Sequence, residues 1–154
     1  MTALAIVPQI SPAPNLFERI KKLLGLHLPL RSEEDILRLV LQGLPTSSLD
    51  RFLKHGVDRS VVVPLIGAET TIRRRVQEEA KFTAAESERL MRVIRVYAQA
   101  VDLFGDEETA KRWLMTPAQW LADSPPIKPI MLAATEPGAR LIEQSLLRTA
   151  HGIY

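Results

Sequence analysis

Apolar residues along this chain recur at intervals of three and four, and glycines and short polar clusters interrupt them. That spacing is the mark of amphipathic helices. Leu16, Phe17, Ile20, Leu23 and Leu24 form a first stripe, opened by Asn15 with Glu18 as a capping box and stopped at Gly25. Ser32 with Asp35 opens a second helix, which carries Ile36, Leu37, Val40 and Leu41 and ends at Gly43. Ser47 or Ser48 opens a third, with Leu49, Phe52 and Leu53, closed by Gly56. Asp58 opens a fourth that ends at Gly67, and a fifth covers Glu69 to Lys81. Thr83 and Glu86 form a capping box ahead of the longest helix, Ala84 to Phe104, closed by Gly105. Its seam is Leu90, Ile94, Tyr97, Val101 and Phe104, and Arg92, Arg95 and Gln99 are expected on the solvent side. Asp106 opens a helix with Trp113 and Leu114, and Thr116-Pro117 is expected to start another. Thr135 opens the last helix, with Ala139, Ile142 and Leu146 on one side and Gly152 at its end. No segment predicts a strand, because the β-branched run Val61-Val62-Val63 sits in a helical context before Pro64. The fold class is all-α.

Composition narrows the function classes. The 154 residues suffice for one domain or two small ones sharing a core, and 46% of them are hydrophobic. No apolar run approaches the roughly 20 residues of a bilayer span, and Met1 to Pro14 lacks the pattern of a secretory signal. Pro8, Pro12 and Pro14 mark residues 1–14 as a flexible arm. The absence of cysteine removes disulfides, thiolate metal sites and a cysteine nucleophile, and a cytoplasmic location is expected. A net charge of +2 does not announce nucleic-acid binding, so a local basic patch has to carry it.

The sequence offers little catalytic chemistry. His27, His55 and His151 share no metal-ligand spacing, and the first two read as ordinary loop or helix-end histidines. Asp106, Glu107 and Glu108 sit where they complement a helix dipole. Glu33-Glu34 and Glu78-Glu79 are expected on exposed helical stretches. There is no phosphate loop and no nucleophile elbow. The expectation is a binding protein without metal, cofactor or catalytic residues.

The segment from Asp58 to Gln77 has the layout of a helix-turn-helix: a short helix, Gly67 at the turn, then a basic helix. Ile72 and Val76 point to the core, which leaves Thr70, Arg74, Gln77 and Lys81 opposite. Arg74 and Gln77 are the candidates for base edges and Thr70, Arg73 and Arg75 for phosphates, with Thr71 as a further candidate DNA contact. Glu69, Glu78 and Glu79 oppose phosphate binding, and Pro64 is expected to distort the first helix of the pair. A solvated basic helix within an ordinary bundle is the competing account.

Several motifs in this order resemble the Xre/MbcA/ParS antitoxins. They are GAETTIRRR (Gly67 to Arg75), FTAAESERLMRVIRVYAQAVDLFGDEETAKRWL (Phe82 to Leu114), Pro117, and KPIMLAATEPGARLIEQSLLRTAHGIY (Lys128 to Tyr154). The resemblance runs from about Ser32 to Tyr154. It implies an Xre-like helix-turn-helix DNA-binding domain over 15–82, packed with a helical toxin-binding domain over 83–154. It further implies a RES-domain, NAD-consuming toxin as partner, whose active site the antitoxin blocks with its C-terminal end, and autorepression at an operator. The proline-rich stretch Ser124-Pro125-Pro126 with Lys128-Pro129 departs from the family pattern. A free-standing helix-turn-helix regulator and a general interaction module are the alternatives.

The tail has a physical reading beside that resemblance. Helix termination at Gly152 would aim Arg148, His151, Ile153 and Tyr154 from a rigid stem, and arginine and aromatic groups make effective interface anchors. These four residues and Gly152 are the candidate toxin contacts. The wide apolar face of the long helix, with Met91, Val93 and Val96 beyond its seam, predicts a homodimer or a larger assembly with the toxin.

Overall fold

A computed structural model describes residues 16–150 and Gly152. The arm over 1–14, Asn15, His151, Ile153 and Tyr154 lie outside the described residues. The described chain is all-helical: α1 (Leu16–Leu24), α2 (Glu33–Gln42), α3 (Ser47–Leu53), α4 (Arg59–Ile66), α5 (Glu69–Gln77), α6 (Ala84–Phe104), α7 (Glu107–Met115), α8 (Pro129–Leu132) and α9 (Glu136–Ala150). Among the described residues, β pairing is limited to isolated bridges, Pro45 with Lys81 and Ala118 with Ile127.

Cap chemistry sets most of these limits. The Ser32 hydroxyl accepts from Asp35 N at 3.2 Å, Asp58 Oδ1 from Ser60 N at 2.8 Å, and Asp106 Oδ1 from Thr109 N at 2.8 Å. Each satisfies an amide that a helix start leaves without a partner. Thr83 and Glu86 close the reciprocal box at the start of α6, and Gly105 ends that helix in the left-handed region at φ 81°. The third helix differs from expectation. Its cap position is Thr46, in helical backbone and without a side-chain cap bond. Thr116-Pro117 does not start a helix either. The chain there forms a loop held by reciprocal bonds between Ala118 and Ile127 (3.0 and 2.9 Å), and the proline at a helix start is Pro129 of α8.

Helix α6 is the axis of the molecule, with α1, α2, α4, α7, α8 and α9 packed around it. One continuous hydrophobic cluster runs from Leu16 to Leu146 across position 82/83. Tyr97 lies at its centre, fully buried, edge-on to Phe52 at 5.3 Å. This enclosure corrects two expectations. Met91, Val93 and Val96 are buried inside the single chain, so the face meant for a second copy is already covered. Arg92, Arg95 and Gln99 are also not on a solvent face. They fill the seams between α6 and its neighbours: Arg92 donates to Ala134 O at 2.8 Å, Arg95 pairs with Glu33 at 2.6 Å, and Gln99 donates to Glu143 at 3.2 Å. A helix surrounded on several sides has no solvent face, and long polar side chains then bridge elements. The second helix shows the opposite case. Only Ile36 of α2 is buried, whereas Leu37 and Leu41 remain 55% and 67% exposed.

A polar network ties the ends of α1, α3 and α7 to α6. Arg19 pairs with Asp102 at 2.5 Å. Glu107 accepts from Tyr97 Oη at 3.1 Å and lies 2.7 Å from His55 Nδ1, so it does more than complement the α7 dipole. Burial, and then the Glu107 charge, push the Tyr97 hydroxyl well above its usual range.

Candidate functional site

The proposed DNA-reading pair is α4 and α5, joined by Gly67-Ala68. Gly67 is extended, and its role is closeness: a Cβ there would lie 3.2 Å from Ile72 Cδ1. Ile72 is fully buried and anchors α5 to the core. Helix α4 runs through Pro64 to Ile66, and the Gly67 N–H still reaches Val63 O at 3.1 Å. Pro64 is exposed near the end of this short helix, so the backbone bond it removes is left to solvent.

The exposed side of α5 carries Thr70, Arg73, Arg74 and Gln77, whereas Thr71 and Arg75 are half-buried. Lys81 is not on that face. The helix stops at Gln77, Glu79 adopts a left-handed φ of 50°, and Phe82 N–H donates to Leu44 O at 2.9 Å. Burial of Phe82 draws the chain off the helical path. Gly43 permits the approach, since a Cβ there would meet the Phe82 carbonyl oxygen at 2.4 Å. Glu78 and Glu79 therefore lie beyond the helix and not along it.

Ion pairs divide the arginines. Glu69 holds both Arg59 (3.3 Å) and Arg73 (3.2 Å). Arg75 reaches Glu86 at 2.7 Å and docks α5 onto the start of α6. Among the described residues Arg74 has no carboxylate partner. Burial raises the energy of the Glu86 carboxylate, but the Thr83 N–H and the Arg75 guanidinium outweigh it and hold its pKa below the ordinary carboxylate value. A folded-state pKa below the unfolded one adds stability at neutral pH that is lost as pH falls through the folded-state value. Glu86→Gln is expected to cost about 1–2 kcal/mol at pH 7 and to flatten the stability profile below about pH 4.3. Urea titrations from pH 3 to pH 7 check this, and parallel profiles for both proteins would exclude the pair as a stabilising element.

The candidate partner surface is the end of α9. Gly138, Ala139, Ile142 and Leu146 bury the inner face of this helix. Gly138 lies against α8, where a Cβ would meet the Leu132 carbonyl oxygen at 1.9 Å. Arg148 is exposed in the last turn, and Gly152, at φ 66°, donates to Thr149 O at 3.2 Å. The structure places these two candidates together. Leu141 and Leu147, 37% and 45% exposed, extend the outer face, and Leu141 shares the side of Arg148 seven residues on. They fall off the buried stripe, and their only signal in the sequence is an apolar residue at a polar position. Phe104, Trp113 and Trp120 form an aromatic series with ring centroids 6.0 and 6.4 Å apart, and the two tryptophans line a recess with Ser145 of α9.

No helix among the described residues is long and apolar enough to cross a membrane. Comparison with known proteins places the relationships. The profile of the antitoxin Xre/MbcA/ParS C-terminal toxin-binding domain matches residues 99–152. An antitoxin Xre of Pseudomonas putida is 28% identical over 127 residues, covering 80% of this chain and 76% of the relative. An antitoxin Xre of Photorhabdus laumondii is 32% identical over 115 residues, 73% of this chain and 76% of the relative. One from Yersinia enterocolitica is 38% identical over 85 residues, 54% of this chain and 55% of the relative. The relative from Photorhabdus laumondii is more than 30% identical over more than two thirds of both chains, and the toxin-binding profile agrees with it, so the chain belongs to the Xre/MbcA/ParS antitoxin family.

Proposed function

We propose that this chain neutralises a RES-domain, NAD-consuming toxin in the cytoplasm by covering the toxin's active site. The contacts are Arg148, His151, Gly152, Ile153 and Tyr154. The observation that carries this reading is the match of residues 99–152 to a toxin-binding domain, on a segment whose last helix is mounted firmly on α6 and α8. A helix fixed along one side presents its outer face and its end without further ordering, which lowers the entropic cost of association. The chemistry of inhibition is then steric: the antitoxin occupies the site and supplies no reacting group. The division at 82/83 is one of function, since both halves share a core. The complex assembles as a homodimer or larger through surfaces other than the covered face of α6.

Co-expression with the RES-domain reading frame expected beside this gene is the direct test. Restored growth and restored cellular NAD support the reading. Full NAD loss in the presence of folded antitoxin would refute it.

The second part of the proposal is autorepression through α4 and α5. Arg74 and Gln77 read base edges, and Thr70, Thr71 and Arg73 contact phosphates, with Arg75 able to join them only by leaving Glu86. Arg74, exposed and without a carboxylate partner among the described residues, supports this assignment. Arg74→Gln is expected to weaken operator binding and to relax the preference at one base pair, with the slope of log K against log salt largely retained. A slope lowered by about one with the preference unchanged would instead assign Arg74 to a phosphate. Binding unchanged in both respects would remove Arg74 from the interface.

A further inference from the structure

Helix α5 is poorly supplied with cations for a DNA reader. Glu69 neutralises part of Arg59 and Arg73, and Glu86 holds Arg75. Affinity for duplex DNA comes chiefly from cations placed on phosphates. If the chain binds DNA, most of that charge has to stand elsewhere.

A recess of the right charge lies elsewhere in the same half of the chain. It lies between the C-terminal end of α1 and α3, with a volume of about 510 Å³. Lys21, Lys22, His27 and Arg51 line it, and none of the four has a carboxylate partner among the described residues. Arg19 also lines it but is tied to Asp102, and Glu18 is the one acidic side chain on its wall. Residues 1–15, which lead into α1, contain no Asp or Glu.

The recess is built and not a chance gathering of long side chains. Gly25 turns the chain at φ 66° after α1, and the Arg51 side chain lies directly over it. A Cβ on Gly25 would fall 1.9 Å from Arg51 Cδ and 2.8 Å from Arg51 Nη1. The missing side chain thus gives the Arg51 guanidinium its place beside the two lysines. A helix C-terminus attracts cations, but it carries only about half a negative charge. Two lysines and an arginine exceed that, and their mutual repulsion is relieved by an anion.

We propose that this recess is a second DNA contact, which takes the sugar-phosphate backbone of a duplex on Lys21, Lys22 and Arg51, apart from α5. The proposal rests on the DNA-binding reading above. Two observations favour DNA over an acidic protein partner. The recess lies outside residues 99–152, the segment that matches the toxin-binding domain. Helix α3, which carries Arg51, also leads through the short connection 54–58 into α4, so the recess and the helix-turn-helix are built from consecutive elements of the chain.

The test uses the full chain and a mixed-sequence 30-base-pair duplex, followed by fluorescence anisotropy across a salt series. Lys22→Gln combined with Arg51→Gln is expected to weaken binding about tenfold and to lower the salt slope by about two, since each lost phosphate contact removes about 0.9. Lys21→Gln with Lys22→Gln gives the same direction without disturbing the Arg51–Gly25 contact, and it decides the matter if the first pair lowers the thermal midpoint. Wild-type binding by both double variants, with binding by Arg74→Gln weakened, overturns the second contact and leaves DNA binding by α5 standing. No binding of any duplex by the unaltered protein overturns both. Loss of toxin neutralisation by the double variants with DNA binding intact assigns the recess to the protein partner and also overturns the proposal.

Discussion

Gly138→Ala lowers the stability of the whole chain by about 3 kcal/mol and the thermal midpoint by about 10 °C. Two physical effects oppose each other at this position. Alanine is the better helix former by about 1 kcal/mol, so propensity alone would make the variant more stable. Packing acts the other way. The new Cβ would lie 1.9 Å from the Leu132 carbonyl oxygen and 2.8 Å from its carbon, and both are backbone atoms. A flexible side chain could swing away, but a backbone carbonyl moves only with its helix. α8 would have to shift, and Ile130 and Ala133, both buried, would shift with it. Gly105→Ala is the control. No heavy atom lies within 4 Å of its Cβ, and only the left-handed φ of 81° disfavours alanine. Its cost is about 1 kcal/mol. Calorimetry on both variants separates the causes. Equal losses would mean that α8 yields easily and that steric contact is not what holds α9 in place.

Much of this fold was legible because its punctuation is local. Ser32, Asp58, Thr83 and Asp106 each accept from an amide two or three residues on, and nothing distant is needed to identify them. The misreadings share a different cause. Arg92, Arg95 and Gln99 look solvated when α6 is considered alone, because periodicity describes one helix and not how many neighbours surround it. The end of α5 is hidden from the local pattern for a similar reason. Nothing local to Lys81 announces that Phe82 must reach the core beside Leu44. Thr116-Pro117 carries a valid helix-start signal, yet the proline-rich chain that follows closes a loop through Ala118 and Ile127. In the candidate sites the basic run Arg73 to Arg75 was visible at once, but which arginine is engaged was not. That depends on Glu69 one turn back and on Glu86 across a helix boundary. The recess of Lys21, Lys22 and Arg51 was invisible, since it unites two helices about thirty residues apart in the sequence.

Deletion of Ile153 and Tyr154 is expected to reduce toxin neutralisation at least a hundredfold and to leave the thermal midpoint unchanged. Stability should survive because the inner face of α9 is complete by Leu146, which is 5% exposed and already packed. Binding should not survive. An aromatic or apolar anchor at the centre of an interface contributes about 2 kcal/mol, and each 1.4 kcal/mol is about tenfold in affinity. Arg148→Ala, one turn earlier and exposed, should cost about tenfold on the same scale. Leu146→Ala gives the necessary contrast. It opens a cavity under α9, costs about 2–5 kcal/mol of stability, and should weaken neutralisation only as far as it unfolds the helix. If the truncated chain neutralises as well as the full one, the tail does not reach the active site. The outer face of α9 would then be the inhibiting surface, and Leu141→Asp and Leu147→Asp, which alter exposed positions, should abolish neutralisation without lowering the midpoint. The two outcomes assign the inhibitory contact to different atoms of the same segment, so one set of five variants locates it.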